Sequence, residues 1–388
     1  MTAVRRSARR MREIAPFHVM EIQKRARALE LAGRDIVHLE IGEPDFPTPE
    51  PVLEAGRRAL TAGNISYTPA LGIAELREAI AKFYASRYRL EVPAQRVIVT
   101  AGSSAALLLA FGATMDRDQE ILMPDPSYPC NRHFLQMIEA RARLIGVDAA
   151  THFQPTAAML DANWNKSTAG VLLASPANPT GMLVPDDEMR AMLALARERG
   201  AAVFVDEIYH GLTYDRQPPT ALSFDEDAYL VSSFSKYFNM TGWRLGWMIV
   251  PQEGVRDIEK LAQNLFICPS QPAQHAALAA FLPETLAIAE TRRQELKRRR
   301  DYLVPALTAL GFGVPVIPDG AFYVYADCSA LAPDSYAFAL RVLDEAGVAV
   351  TPGNDFGVYH AERYLRFAYT QPIVRLEEAV ERIGKLIG

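Results

Sequence analysis

A lysine, an aspartate and an asparagine each sit at or just beyond the end of an apolar run, close enough to share one crevice. Lys236 stands in Ser232-Ser233-Phe234-Ser235-Lys236-Tyr237, among hydroxyls and aromatic rings just past a predicted strand. Taking an amine out of water disfavours its ammonium form, which prepares a lysine for Schiff-base chemistry; taken alone, the same residue reads as a surface lysine. Asp206 closes the run Ala202-Val203-Phe204-Val205 and is followed by Glu207, Ile208 and Tyr209. A carboxylate in that place either caps the next helix or faces a ligand, because ligands of open α/β sheets sit outside the carboxyl ends of the strands. Asn178, in Ser175-Pro176-Ala177-Asn178-Pro179-Thr180-Gly181, follows a third apolar strand in what is otherwise a proline and glycine turn.

A fourth segment, Gly102-Ser103-Ser104-Ala105-Ala106, follows a strand and opens a helix. It resembles a hydrolase nucleophile elbow centred on Ser104, except that Ala106 stands where glycine is expected. The same residues would hold a phosphate on unpaired helix N–H groups, or merely cap the helix. The common fingerprints GxxxxGK[ST], GxGxxG and HExxH are absent, which removes the main support for P-loop, Rossmann-dinucleotide and zincin readings. The seven histidines show no metal-ligand spacing, and Cys130, Cys268 and Cys328 lack CxxC spacing, so neither a metal site nor a disulfide framework is expected.

The elements that must position these groups follow from the pattern of the chain. Short apolar runs alternate with helical stretches from about residue 95 to 265, the signature of stacked βαβ units and a mostly parallel sheet. Strands are predicted at 97–100, 120–123, 143–147, 170–174, 203–206, 229–233 and 246–250. Several are apolar on successive residues, as expected when helices cover both faces. The fold class is therefore α/β: a large three-layer domain at 46–282 and a smaller α+β domain from 1–45 and 283–388. In the second unit the pattern predicts a helix at 15–32, a strand at 36–41, a long helix at 285–310, and strands at 322–326, 348–351 and 364–368. The basic tract Lys297 to Arg300 shares its helix with Glu290, Glu295 and Asp301 and is expected to form a solvated face. The basic N-terminus, with Arg5, Arg6, Arg9, Arg10 and Arg12, is expected to form a surface or subunit-wrapping arm.

Composition sets the outer bounds. The chain has 388 residues, 49% hydrophobic and 22% charged, with a net charge of −5 from 41 basic and 46 acidic side chains. Disorder is disfavoured, and mild acidity argues against broad electrostatic binding to nucleic acid or anionic membrane. No apolar run approaches the ~20 residues of a membrane span, and three scattered cysteines fit a reducing, cytoplasmic setting.

Read together, these segments resemble the class I/II aminotransferases of the fold-type-I pyridoxal-phosphate family nearly end to end. The resemblance rests on Ile41-Gly42-Glu43-Pro44-Asp45, Tyr67-Thr68-Pro69, Ala101-Gly102-Ser103-Ser104, Pro126-Ser127-Tyr128-Pro129, Asn178-Pro179-Thr180-Gly181, Asp206-Glu207-Ile208-Tyr209, Ser233-Phe234-Ser235-Lys236, Gly242-Trp243-Arg244 and Tyr364-Leu365-Arg366. It implies that pyridoxal 5'-phosphate is bound covalently by Lys236, which also shuttles a proton. Asp206 would face the pyridine nitrogen, Tyr209 and Asn178 the phenolic oxygen, and Tyr128 the ring face. Ser103, Ser104, Ser233 and Arg244 would cradle the phosphate, with Tyr67 reaching the phosphate of a neighbouring subunit in a homodimer with shared active sites.

Arg366 would clamp the substrate carboxylate, beside Asn178 and the backbone of Gly42. Phe17 would line a lid or pack in the core. The implied reaction is transfer of an amino group from an L-amino acid to a 2-oxo acid in two half-reactions. A β-carbon–sulfur lyase of the same fold is the alternative. Neither Arg27 nor Lys82 lies in a motif suited to a second substrate carboxylate, so the donor stays open.

Overall fold

The computed structural model describes residues 7–12, 14 and 16–388. Arg5 and Arg6 of the expected arm and Ala15 of the expected helix lie outside the described residues, as does the side chain of Arg9. The strands are β1 (Val37–His38), β2 (Val97–Thr100), β3 (Glu120–Asp125), β4 (Arg141–Gly146), β5 (Thr168–Ala174), β6 (Ala202–Asp206), β7 (Tyr229–Ser233), β8 (Gly246–Ile249), β9 (Tyr323–Asp327), β10 (Val348–Ala349), β11 (Thr351–Pro352) and β12 (Tyr364–Ala368). Seven of them form one sheet in the order β2-β8-β7-β6-β5-β3-β4. Only β8 runs antiparallel to its neighbours.

Alternate residues of these strands enter two different buried clusters. Val97, Val99, Val203 and Val205 join one, which also takes Met189 and Leu193 from the helix Asp186–Glu198. Ile98 and Phe204 join the other, with Leu107 and Phe111 from the helix Ser103–Thr114. A strand with apolar side chains at every position is thus covered on both faces, and the large sheet is the middle of three layers. The class expected from sequence, α/β with a mostly parallel sheet, is the class observed. Beside it stand an antiparallel sheet, β11-β12-β9, and a parallel pair, β1-β10.

Differences from the sequence reading have local causes. The run 36–41 pairs only at Val37–His38, because β10 offers two residues of ladder and the carbonyl of Glu40 is taken by side chains of Thr351 and Arg366. The run 348–351 breaks in two: Val348–Ala349 pairs with β1, whereas Thr351–Pro352 pairs with β12. The first long helix begins at His18, after Pro16, where Asp355 Oδ1 accepts the His18 N–H at 2.7 Å. In the helix Pro283–Ala309 the expected solvated face is corrected at two positions. Arg299 is buried and bonds Asp45 at 2.7 Å, and Arg300 is buried and bonds Asp215 at 3.1 Å. These guanidiniums pin the helix to preceding loops, since a buried charge must find partners.

His38 joins β1 to the first helix. Its Nδ1 lies 2.8 Å from Glu40 Oε1 and its Nε2 3.0 Å from Glu30 Oε1. The hydrogen bond to Glu40, with help from Glu30, raises the imidazole pKa from 6.5 to about 9. A raised histidine pKa stabilises the fold fully below the unfolded value and loses that contribution as pH climbs through the folded one. We therefore predict a loss of about 2 kcal/mol between pH 6.5 and 9.5, discounted for partial screening. Urea unfolding against pH should show this fall in the parent protein and not in His38→Gln; equal profiles for the two would contradict it.

Candidate active site

The carboxyl ends of the central strands meet at one edge of the large sheet. Asp206 is the last residue of β6 and pairs with Ala174 at the end of β5. Gly246, the first residue of the antiparallel β8, pairs with both Thr100 at the end of β2 and Ser233 at the end of β7. The register alone therefore brings Gly102, Asn178, Asp206, Lys236 and Arg244 to a single crevice, as open α/β sheets do.

A cavity of about 370 Å³ opens there. Its floor carries Asp206, Tyr209 and Lys236. Lys236 Nζ donates to the carbonyl of Gly42 at 2.6 Å, and burial lowers the amine pKa to about 8. Asp206 Oδ1 accepts the Ile208 N–H at 3.0 Å, and burial raises this carboxyl to about 7. The two groups thus have their charges weakened in opposite senses by the same dry surroundings. Tyr128 also lines the cavity, its phenol raised by burial.

At one end, Ser103 and Ser104 begin the helix Ser103–Thr114, whose N-cap Gly102 has φ +81° and leaves the first N–H groups without a side-chain cap. A Cβ on Gly102 would lie 2.6 Å from Arg244 Nη2, so only glycine lets that guanidinium approach. Arg244 itself adopts the left-handed region, φ +52°. Together with Ser233 and Ser235 this end offers hydroxyls, backbone N–H groups and one cation, a donor set suited to a phosphate.

At the other end Arg366, on β12, is 5% exposed. One of its terminal nitrogens donates to Asn178 Oδ1 at 2.9 Å and the other to the Glu40 carbonyl at 2.5 Å. Its Nε is buried without a hydrogen-bond partner. The guanidinium stacks 4.3 Å over the Tyr323 ring and 4.8 Å over Phe356. A planar cation fixed in this way can meet a carboxylate side-on.

The whole chain can now be set beside known proteins. Residues 34–383 match the family model for aminotransferase class I and II. This chain belongs to that family. It is 39% identical to the valine–pyruvate aminotransferase of Mycobacterium tuberculosis over 96% of both chains, and 35% identical to the aspartate/prephenate aminotransferase of Thermus thermophilus over 98% of both. Among solved structures, an aminotransferase from Mycobacterium tuberculosis superposes with a TM-score of 0.95 at 39% identity, covering 99% of each chain. The Thermus thermophilus aspartate aminotransferase with maleate gives 0.93 at 34% identity, covering 99% of this chain and all of that one. The chain is accordingly a transferase enzyme that moves amino groups between amino acids and oxo acids.

Eleven of the residues singled out from sequence line this one aminotransferase cavity: Gly42, Ser103, Ser104, Tyr128, Asn178, Asp206, Tyr209, Ser233, Lys236, Arg244 and Arg366. Phe17 lines it too. Tyr67 does not: it is 81% exposed, beside Cys268, Pro269 and Gln271. Sequence reasoning missed Tyr323, Asp355, Phe356, Glu43 and Met20 in the lining. Of these, only Glu43 sits in a motif, and there its neighbour Gly42 drew the argument. Among the described residues no helix is long and apolar enough to cross a membrane.

Proposed function

We propose that the chain binds pyridoxal 5'-phosphate in this cavity and transfers an amino group from an L-amino acid to a 2-oxo acid in two half-reactions. The observation that carries the reading is a half-buried lysine, Lys236, whose amine is desolvated enough to lower its pKa, sharing one cavity with the buried Asp206 and the fixed guanidinium of Arg366. The fit is supported by the Gly102 end, where a side chain would block Arg244, and by the Asp206 carboxyl, buried and without a cation bonded to it. Ser103, Ser104, Ser233 and Arg244 would hold the phosphate, Tyr128 the ring face, and Tyr209 with Asn178 the phenolic oxygen. Bound there, the cofactor supplies an aldehyde carbon for the incoming amine and a protonated ring that draws electrons from the carbon losing its proton.

The protein's own groups do the rest. Lys236 Nζ would anchor the cofactor and, once displaced by the substrate amine, would carry a proton from the substrate carbon to the carbon of the cofactor that held the aldehyde. Asp206 holds a proton on the ring nitrogen. Arg366 and Asn178 orient the substrate carboxylate near the backbone of Gly42, where any side chain would strike Tyr323: a Cβ there would lie 2.2 Å from its hydroxyl. Residues 46–282 form the cofactor-holding unit, and 1–45 with 283–388 the unit that brings Arg366. Tyr67 shares an open surface with the exposed Ile65 and with Pro269 and Pro272, an apolar patch suited to a second copy, so the working form is a homodimer in which Tyr67 completes the neighbour's phosphate site. With three free cysteines, we place the enzyme in the reducing cytoplasm.

The test is a pair of measurements on cofactor-loaded enzyme. An amino acid alone should bleach the visible absorption and release a stoichiometric amount of its 2-oxo acid; adding 2-oxoglutarate should restore the colour and yield glutamate. Release of ammonia and pyruvate in place of a paired amino acid would mean a lyase and overturn the proposal. A screen of donors by bleaching rate assigns the substrate.

A further inference from the structure

One side chain touches the Gly42 loop that holds the proposed anchor, the phenolic-oxygen donor and the carboxylate clamp at once, and it carries no role so far. Tyr323, on β9, is 1% exposed. Its hydroxyl lies 3.0 Å from the Tyr209 hydroxyl. The same oxygen packs so closely on Gly42 that a Cβ there would lie 2.2 Å away, and the Gly42 carbonyl in turn holds Lys236 Nζ. The opposite face of the story is electrostatic: the Arg366 guanidinium sits 4.3 Å over the Tyr323 ring.

We propose that Tyr323 is a positioning residue that acts through Tyr209, donating a hydrogen bond to the Tyr209 oxygen so that the Tyr209 proton is aimed at the phenolic oxygen of the bound cofactor. The inference deepens the proposed function and rests on it. Each phenol has one proton, so in an isolated pair either hydroxyl can donate. Two features break the tie. Burial raises both phenols, Tyr209 further than Tyr323, and the guanidinium of Arg366 stacked over the Tyr323 ring offsets part of the rise there, leaving Tyr323 the better donor. Both phenols line the cavity, but the Tyr323 hydroxyl is wedged against Gly42, so Tyr209 is the one with room for an acceptor of its own proton. A hydroxyl that accepts one hydrogen bond becomes a stronger donor of the next, so Tyr323 strengthens the contact that Tyr209 makes.

The consequence is a titration. A donor held against the cofactor's phenolic oxygen competes with the protonated imine nitrogen for that oxygen's charge, and so lowers the pH at which the imine loses its proton. Removing the Tyr323 hydroxyl weakens that donor and should raise the midpoint.

The experiment is a pH titration of the visible absorption of cofactor-loaded parent, Tyr323→Phe, Tyr209→Phe and the double variant. Phenylalanine keeps the ring that packs against Tyr209, Phe322 and Arg366, and retained colour shows that each variant is folded and loaded. Tyr323→Phe should move the midpoint upward by about 0.2 to 0.5 pH unit, since accepting one hydrogen bond strengthens the next by roughly 10–30%. Tyr209→Phe should move it further, and the second substitution should add nothing in that background, since Tyr323 acts only through Tyr209.

An unchanged midpoint in Tyr323→Phe overturns the inference and leaves the proposed function standing. Equal and additive shifts in the two backgrounds also overturn it, because Tyr323 would then act on the cofactor directly. A parent protein with no pH-dependent visible band overturns the proposed function, and the inference with it.

Discussion

Lys236→Ala is expected to remove the visible absorption of the cofactor-loaded enzyme and to slow amino-group transfer by at least about ten-thousand-fold. Proton transfer by a positioned side chain is worth about 10² to 10⁴ in rate, and here the loss of the anchoring bond adds to it. The geometry makes Lys236 suited to both tasks. Its amine is held on the Gly42 carbonyl at 2.6 Å, and burial brings its pKa down to about 8 from 10.5. Near neutral pH an appreciable fraction is therefore unprotonated and nucleophilic, whereas an exposed lysine would have almost none.

Folding should not suffer, because removing a desolvated amine relieves a cost and leaves only a small cavity. Thermal melts of the apo forms check this. Ser104→Ala, which a serine-hydrolase reading would make lethal, should leave turnover measurable and mainly weaken cofactor binding. If Lys236→Ala kept its colour and more than about one per cent of its rate, the proton-transfer role would be excluded on the expected scale. Borohydride reduction of the parent followed by peptide mapping gives an independent answer, since the label should fall on Lys236.

The parts of this site that sequence made legible share one property: each stands where an apolar run stops. Asp206 and Ser233 end, and the 175–181 turn follows, strands that are buried along most of their length, so the apolar run is clear and its end is sharp. Register, parallel among β5, β6 and β7 and antiparallel at β8, then does what no single motif states, bringing five strand ends to one edge. The smaller sheets were harder to read because their strands are short and change partners. Val350 lies between a two-residue pairing with β1 and another with β12, a break that hydropathy does not mark.

Tyr323 and Phe356 escaped for a different reason. Tyr323 lies in a strand, where an aromatic residue is ordinarily core, and Phe356 closes a short turn after β11; nothing in their spacing tells that a hydroxyl will meet Tyr209 or a ring Arg366 from distant segments. The arginines at 299 and 300 show the converse error. Charge neighbours on the same helix suggested a solvated face, and Glu295 and Asp301 do pair with these arginines, but both guanidiniums are buried and also reach Asp45 and Asp215 on loops far back in the chain.

Asp206→Asn is expected to lower kcat by about 10² to 10³-fold with little change in KM for the amino acid, the scale of losing one preorganised electrostatic contact. The carboxyl is 6% exposed and its pKa is raised by burial to about 7. Poised there, it gains most from a cation, and a pyridine nitrogen facing it would share one proton across the pair with the charge held on the ring. Asparagine preserves volume and still accepts the Ile208 N–H, so the backbone after β6 should stay in place. What it lacks is the negative charge that keeps the nitrogen protonated.

In the proposed function the substrate carboxylate would be met by Arg366, on a different strand, which is why KM should be spared. The pH profile separates this from mere misfolding. Without the aspartate the ring nitrogen must draw its proton from solution, so the variant's kcat should rise as pH falls through the range where the parent's is flat or declining. A variant that keeps kcat within tenfold of the parent, with an unaltered profile, would mean that Asp206 does no more than cap the turn after β6.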